Sequence, residues 1–419
     1  MDLRYCCVLF ILGCLISCNK DNLIISVDEV KVYKPNNTIY SLLINTPNGI
    51  AITSKDLYVD SSSFILSERD LVNYSGFVSI KGRGNSTWAA PKKPYAIKLQ
   101  KKASLASLPE EKSWVLLANH YDPTKLRNDV AFFIGNRLSV LEYTPRFCFV
   151  NMSINGSFQG IYQLGEKIKK STDRVNIGEN GFLLEFDDKY SSDDAIFRTD
   201  SLVYPINIKY PEIKEGSEEY LYIKDYVNKA EESLFSDSFL NESTGYHNYF
   251  DLNSFVDWYL INELTKNADG ILYTSCYMYL FERGGQFKMG PLWDFDLAFG
   301  NYIYGTDSIK NEINSTEGFW VKNSPWFKRF FQDPSFVGLL KKRFDHVYSN
   351  RFLIYDFIET RSSLISPFII EDNRIWESLC IKESSDDEVL NEYNIQIKRL
   401  KSWIEARFQW LKESLSAME

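Results

Sequence analysis

The chain has 419 residues, 44% hydrophobic and 25% charged, the balance of an ordinary globular protein and too long for one small domain. Its formal net charge of -9 argues against nucleic-acid binding, which needs a basic footprint. Aromatic residues reach 15%, and composition alone does not divide them between core and surface.

The N-terminus reads as a targeting segment rather than as fold. Arg4 precedes an apolar run from Cys6 to Ile16, too short for a stable bilayer anchor. The run ends Leu15-Ile16-Ser17-Cys18, and small residues before a Cys at that point resemble a bacterial lipoprotein box. The expected outcome is loss of residues 1–17, lipidation of Cys18, and export to the cell envelope, at the outer membrane or cell surface. The membrane is then reached by the lipid alone, since no other stretch is long and apolar enough to cross one. The plainer alternative is an ordinary signal peptide cut nearby. Beyond the leader, Cys148, Cys276 and Cys380 show no C-x-x-C spacing, so a structural zinc is not expected and buried free thiols are.

Residues 22 to about 79 read as strands, around the turn Thr46-Pro47-Asn48-Gly49. Then Ile80-Lys81-Gly82-Arg83-Gly84-Asn85-Ser86-Thr87-Trp88 brings a strand into a Gly-rich turn, and Tyr95-Ala96-Ile97-Lys98-Leu99 leaves it. Gly82 and Gly84 let backbone amides approach an anion, and Arg83, Lys93 and Lys98 supply positive charge. The Walker A spacing is absent; a strand, a glycine turn and a strand carrying Lys suit a kinase-type phosphate site. A tight hairpin with solvated lysines is the competing reading. Trp114 to Ala118 reads as a strand, Thr124 to Leu138 as a helix with one apolar face, and 147–154 and 181–186 as further strands. Residues 191–249 contain a stretch without clear period and read as an insertion.

From Phe250 the character turns helical. A helix over 252–264 runs into Asn267-Ala268-Asp269-Gly270, then an aromatic strand to Leu280, the turn Gly284-Gly285, and Gly290-Pro-Leu-Trp-Asp-Phe-Asp-Leu-Ala-Phe-Gly-Asn301. If this last block is extended, Asp294 and Asp296 share a face. Two acids hemmed in by Trp293, Phe295 and Phe299 need a divalent metal, a basic partner or a shared proton. A loop aspartate ahead of a hairpin ending in a second aspartate is the layout of a kinase catalytic centre; a turn residue beside Gly270 is the plainer reading of Asp269. Residues 336–352 and 395–415 keep a helical period and read as core-packing helices.

These blocks together resemble the CotH family of kinase-like spore-coat proteins. The resemblance rests on 81–88, Lys92 to Leu99, Leu126-Arg127-Asn128, Gly160-Ile161-Tyr162, Asp173-Arg174-Val175-Asn176-Ile177 and Gly290 to Asn301, and it covers about 45–410. It implies an α+β, atypical protein-kinase-like, two-lobed fold. The β-rich lobe would span about 45–190 and the catalytic, helical lobe about 250–415, behind a tether and strands at 18–44. It implies phosphate transfer from ATP to protein Ser or Thr with Mg²⁺ or Mn²⁺. Asp269 would be the catalytic aspartate and Asp294 the metal ligand, with Asp296 its rival. Arg83, Asn85, Lys93 and Lys98 would bind the nucleotide, Lys98 pairing a phosphate. Ser275 and Cys276 stand where some members carry Asn, and Glu142 and Glu166 are candidates to pair with Lys98. A surface lipoprotein that keeps the fold for binding or matrix assembly is the alternative from another class.

Overall fold

The alternation of apolar and polar residues in the N-terminal half builds a closed β-barrel. The computed structural model describes residues 31, 33–189, 195–377, 379, 381 and 384–418; the leader, Cys18 and Cys380 lie outside them. The barrel strands are β1 (Ile39–Asn45), β2 (Val59–Glu68), β3 (Leu71–Gly82), β4 (Tyr95–Ala103), β5 (Glu111–Leu117), β6 (Phe147–Ile154) and β7 (Ser157–Glu166). Their order is β1-β2-β3-β4-β5-β7-β6, and β6 pairs in parallel with β1 to close the ring. Every second residue points inward. Leu42, Ile44, Phe64, Leu66, Ile80, Ile97, Leu99, Trp114 and Val150 fill the interior. Closure leaves the barrel no open strand edge, which a β-rich unit would otherwise have to protect.

The other face of β5, β6 and β7 is apolar too. Val115, Leu117, Phe147, Phe149 and Ile161 join the larger core of the molecule. Between β3 and β4 sits the short helix α1 (Ser86–Ala89), and α2 (Arg127–Leu138) packs into that larger core. A second sheet follows, with strand order β12-β11-β8-β10-β9. It comprises β8 (Phe182–Phe186), β9 (Ile196–Arg198), β10 (Pro205–Tyr210), β11 (Cys276–Leu280) and β12 (Phe287–Met289). The stretch read as an insertion therefore supplies β9 and β10 to this sheet. It also supplies α3 (Glu218–Phe235), whose Ile223, Val227 and Leu234 are buried in the common core.

The remaining helices are α4 (Leu252–Thr265), α5 (Asp307–Asn314), α6 (Pro325–Phe330), α7 (Pro334–Ser349), α8 (Phe352–Trp376) and α9 (Asp386–Ser416). The chain is thus α+β, β-rich first and helical last. Helix α4 is buried on all sides from Ser254 to Thr265, and its buried acids are paired, Asp257 with Arg343 and Glu263 with Arg407. Asp251 caps its start by accepting from Ser254 N at 2.8 Å. Lys266 ends it in the left-handed conformation, its Nζ donating to the carbonyls of Glu312, Ser315 and Glu317. This cap fixes where the next residues, 267–271, emerge. Among the described residues no helix is long and apolar enough to cross a membrane.

Candidate functional site

Three segments converge on a cavity of about 410 Å³. The first is the turn between β3 and β4. Gly84 has φ +82, and a Cβ there would meet Thr87 Oγ1 at 2.1 Å, so only glycine fits. The Arg83 N–H donates to Pro94 O at 3.1 Å. The Arg83 guanidinium lines the cavity and lies 5.5 Å from the Trp293 ring centre.

The second segment is the 3₁₀ turn Ala268–Ile271 that follows α4. Asn267 caps it, its Oδ1 accepting from Asp269 N at 3.3 Å. The Asn267 Nδ2 reaches Asn262 Oδ1 at 3.1 Å and Asp294 O at 3.4 Å. Asp269 is therefore positioned by a capped turn that also touches the third segment.

That third segment is the loop 290–301. It is not extended as the alternation suggested: Asp294 takes φ +64, a left-handed conformation rare outside glycine. Asp294 and Asp296 still meet, through a hydrogen bond between their carboxyls rather than by sharing a strand face. Helix α2 and its approach hold the loop. Phe295 N donates to Asn128 Oδ1 at 2.7 Å, Asn128 Nδ2 to Asn119 Oδ1 at 3.0 Å, and Asn119 Nδ2 to Gln163 Oε1 at 2.7 Å. Arg127, paired with Asp122, donates from Nε to Ala298 O at 3.1 Å. Asn301 Nδ2 donates to Asp296 O at 2.7 Å and Tyr121 O at 2.9 Å.

The walls are acidic. Glu185, Asp187, Asp269, Asp294 and Asp296 line the cavity, against Arg83, Lys92 and Lys189. Burial, and then the charge of Asp294, push the Asp269 carboxyl up to about 7. Burial raises Asp294, with Arg83 opposing. Burial and the neighbouring Asp294 carry Asp296 well above the carboxylate range. Among the described residues no three His, Cys, Asp or Glu side chains are grouped to hold a metal unaided. The donor set nonetheless fits Mg²⁺ or Mn²⁺. Two carboxylates close enough to share a proton are an incomplete oxygen site, and Mg²⁺ is commonly held by one or two carboxylates, substrate phosphates and water.

Of the expected nucleotide contacts, Arg83 and Asn85 line the cavity, while Lys93 and Lys98 do not. Ile97 and Leu99 fill the barrel, so strand alternation turns Lys98 out to solvent. Neither candidate acid reaches it: Glu142 pairs with Lys288 and Glu166 with Arg146. Lys93 braces the glycine turn instead, donating to Trp88 O at 2.7 Å. Ser275 Oγ lies 3.5 Å from Asp294 Oδ2, and the Cys276 thiol donates to Asp269 O at 3.2 Å. Cys148 and Cys276 are buried free thiols.

Sequence reasoning missed Lys92. It is fully buried, lines the cavity, pairs with Asp372 of α8, and donates to Ile161 O at 2.7 Å. Lys125 Nζ stands 3.8 Å from the same carboxylate. Gly160 is explained by this pair, because a Cβ there would lie 2.1 Å from Asp372 Oδ1. The signal was the coincidence of the Lys92-Lys93-Pro94 and Gly160-Ile161-Tyr162 blocks, but the acid that unites them is far away in sequence. His120, also in the wall, is pushed down to about 4 by burial and then by Lys125 and Lys92, so it is neutral at neutral pH.

Fold and site together define an α+β protein in which a closed barrel, a second sheet and a buried helix grip a carboxylate cluster beside an arginine. The family follows from the sequence that carries those features. The chain belongs to the CotH kinase protein family, whose model matches residues 80–411, from the end of β3 to the last turns of α9. No curated protein matches the chain.

Proposed function

We propose that the protein is a metal-dependent phosphotransferase with a kinase-like site, moving the γ-phosphoryl group of ATP to a Ser or Thr hydroxyl of another protein. The observation that carries this reading is the convergence of Asp269, Asp294, Asp296 and Arg83 on one cavity. Asp294 and Asp296 would hold Mg²⁺ or Mn²⁺, which when bound neutralises charge on the transferring phosphate oxygens. Arg83 grips the phosphates with its fork, and Asn85 and the exposed Lys189 border them. Asp269 orients the acceptor hydroxyl and takes its proton as the hydroxyl oxygen bonds to the γ-phosphorus and the bond to the ADP oxygen breaks. Burial raises the Asp269 carboxyl toward the working pH, where a base is most effective. Lys92 is held by Asp372 and shapes the wall behind the phosphates.

The reading places this chemistry outside the cytoplasm, on a protein tethered by lipid at Cys18. The test is transfer from labelled ATP by the purified mature protein with Mg²⁺ or Mn²⁺, paired with nucleotide binding. If the wild type binds no nucleotide at any cation concentration, the transferase reading is lost and the chain is a binding lipoprotein built on the same fold.

A further inference from the structure

A second cavity, of about 480 Å³, adjoins the first. Tyr273 lines both, and Asp188 of the second lies between Asp187 and Lys189 of the first. The Tyr273 hydroxyl donates to Asp188 Oδ2 at 2.9 Å on the partition. The floor continues the turn that carries Asp269: Ile271 and Leu272 line it, and Trp320 Nε1 donates to Ala268 O at 2.9 Å. Leu202, Val203, Pro205 and Pro325 complete an apolar lining.

Two further observations point to a ligand. Among the described residues, Tyr204 Oη, Ser324 Oγ and Asp188 Oδ1 are buried without a hydrogen-bond partner, and all three residues line this cavity. Ser324 is only 3% exposed. Unpaired buried polar atoms are uncommon and costly. Val203 has φ +60 at the mouth, with a side chain 53% exposed, and Leu272 has φ +64 on the floor. A β-branched residue at positive φ is an outlier, and such strain gathers at ligand clamps.

A free hydrocarbon would fill the apolar volume and leave those three polar atoms unpaired. A polypeptide carries both backbone donors and acceptors, the complement of two hydroxyls and a carboxylate oxygen in that wall. We propose that this cavity docks one large apolar side chain, of Leu or Phe size, from the acceptor protein, with the backbone that carries it. The docked residue lies within about four residues of the phosphorylated Ser or Thr, roughly 13 Å of extended chain. This rests on the phosphotransfer reading and adds to it a rule for choosing the acceptor.

The test uses Ser peptides carrying Leu, Ala or Asp at each position within four residues of the acceptor. Wild type should favour one Leu position over Ala about tenfold or more in kcat/KM, chiefly through KM, and over Asp by more. Fluorescence anisotropy of the same labelled peptides should show the same order in Kd. Val203→Asp should abolish the preference while leaving the rate on the Ala peptide and the thermal shift by ATP and Mg²⁺ unchanged. Asp tolerates the left-handed conformation better than Val, so the variant should fold. Equal kcat/KM and Kd for Leu and Ala at every position overturn the proposal, as does a preference that survives both Val203→Asp and Leu202→Glu. If wild type phosphorylates no peptide, the transferase reading fails by itself, and the anisotropy order still decides whether the cavity takes an apolar side chain.

Discussion

The duties proposed for Asp269 and Asp294 are ones that single substitutions would separate. Asp294→Asn replaces an anionic oxygen with a neutral one and should lose Mg²⁺-dependent ATP binding, read by calorimetry. Asp269→Asn should bind ATP and Mg²⁺ as before and lose transfer by about 10²–10⁴-fold, the usual contribution of a positioned base. If Asp296→Asn abolishes binding and Asp294→Asn does not, the metal ligand is Asp296. The acidity of the cluster also sets a pH dependence. Asp269 is raised from its ordinary value to about 7, so the folded state holds its proton more tightly than the unfolded chain does. Its contribution to stability is full below about pH 4 and is lost as pH rises through about 7. Without divalent cations, Asp269→Asn should therefore raise Tm by roughly 1–3 °C at pH 8 and by nothing at pH 4. A variant that melts like wild type at pH 8 would show that the carboxyl titrates normally.

At the scale of elements, α2 works as a clamp on the loop 290–301. Asn128→Ala leaves the Phe295 N–H without its acceptor, a loss of about 1–3 kcal/mol in urea unfolding. It should also weaken metal-dependent nucleotide binding by roughly tenfold, as losing a supporting hydrogen bond does around metal sites. Elements set by local pattern are legible in the sequence itself. Helices α2, α4, α7 and α9 follow from apolar spacing, and the carboxylates of 290–301 stand out by their aromatic setting. What is not legible depends on distant partners. Lys92, Lys93 and Lys98 look equivalent in sequence; strand parity sends Lys98 outward, and Asp372 draws Lys92 inward. Barrel closure depends on β1 meeting β6, a parallel pairing across about a hundred residues that no local period announces. The left-handed Asp294 is hidden because its aromatic neighbours suggest a strand. Lys98→Ala should accordingly leave ATP affinity unchanged in a thermal-shift titration, whereas Arg83→Ala should weaken it.

For the whole molecule, the proposed lipid anchor is separable from the fold. Cys18→Ser should move the protein from the membrane to the soluble fraction while its melting curve stays the same, because one residue supplies the attachment and the folded part has no membrane helix among its described residues. The two halves are not separable in that way. Asp372 of α8 and Lys92 at the approach to β4 are buried together, 280 residues apart along the chain. Removing one charge strands the other, at about 3–5 kcal/mol. The consequence is kinetic. A contact closed over so long a loop is made after local pairing has formed most of the barrel. Loss of such a late contact leaves the rate of folding nearly as it was and appears in the rate of unfolding. Asp372→Ala should therefore refold at close to the wild-type rate and come apart roughly 10²–10⁴-fold faster, so that the last helices of the chain govern how long its first strands stay closed.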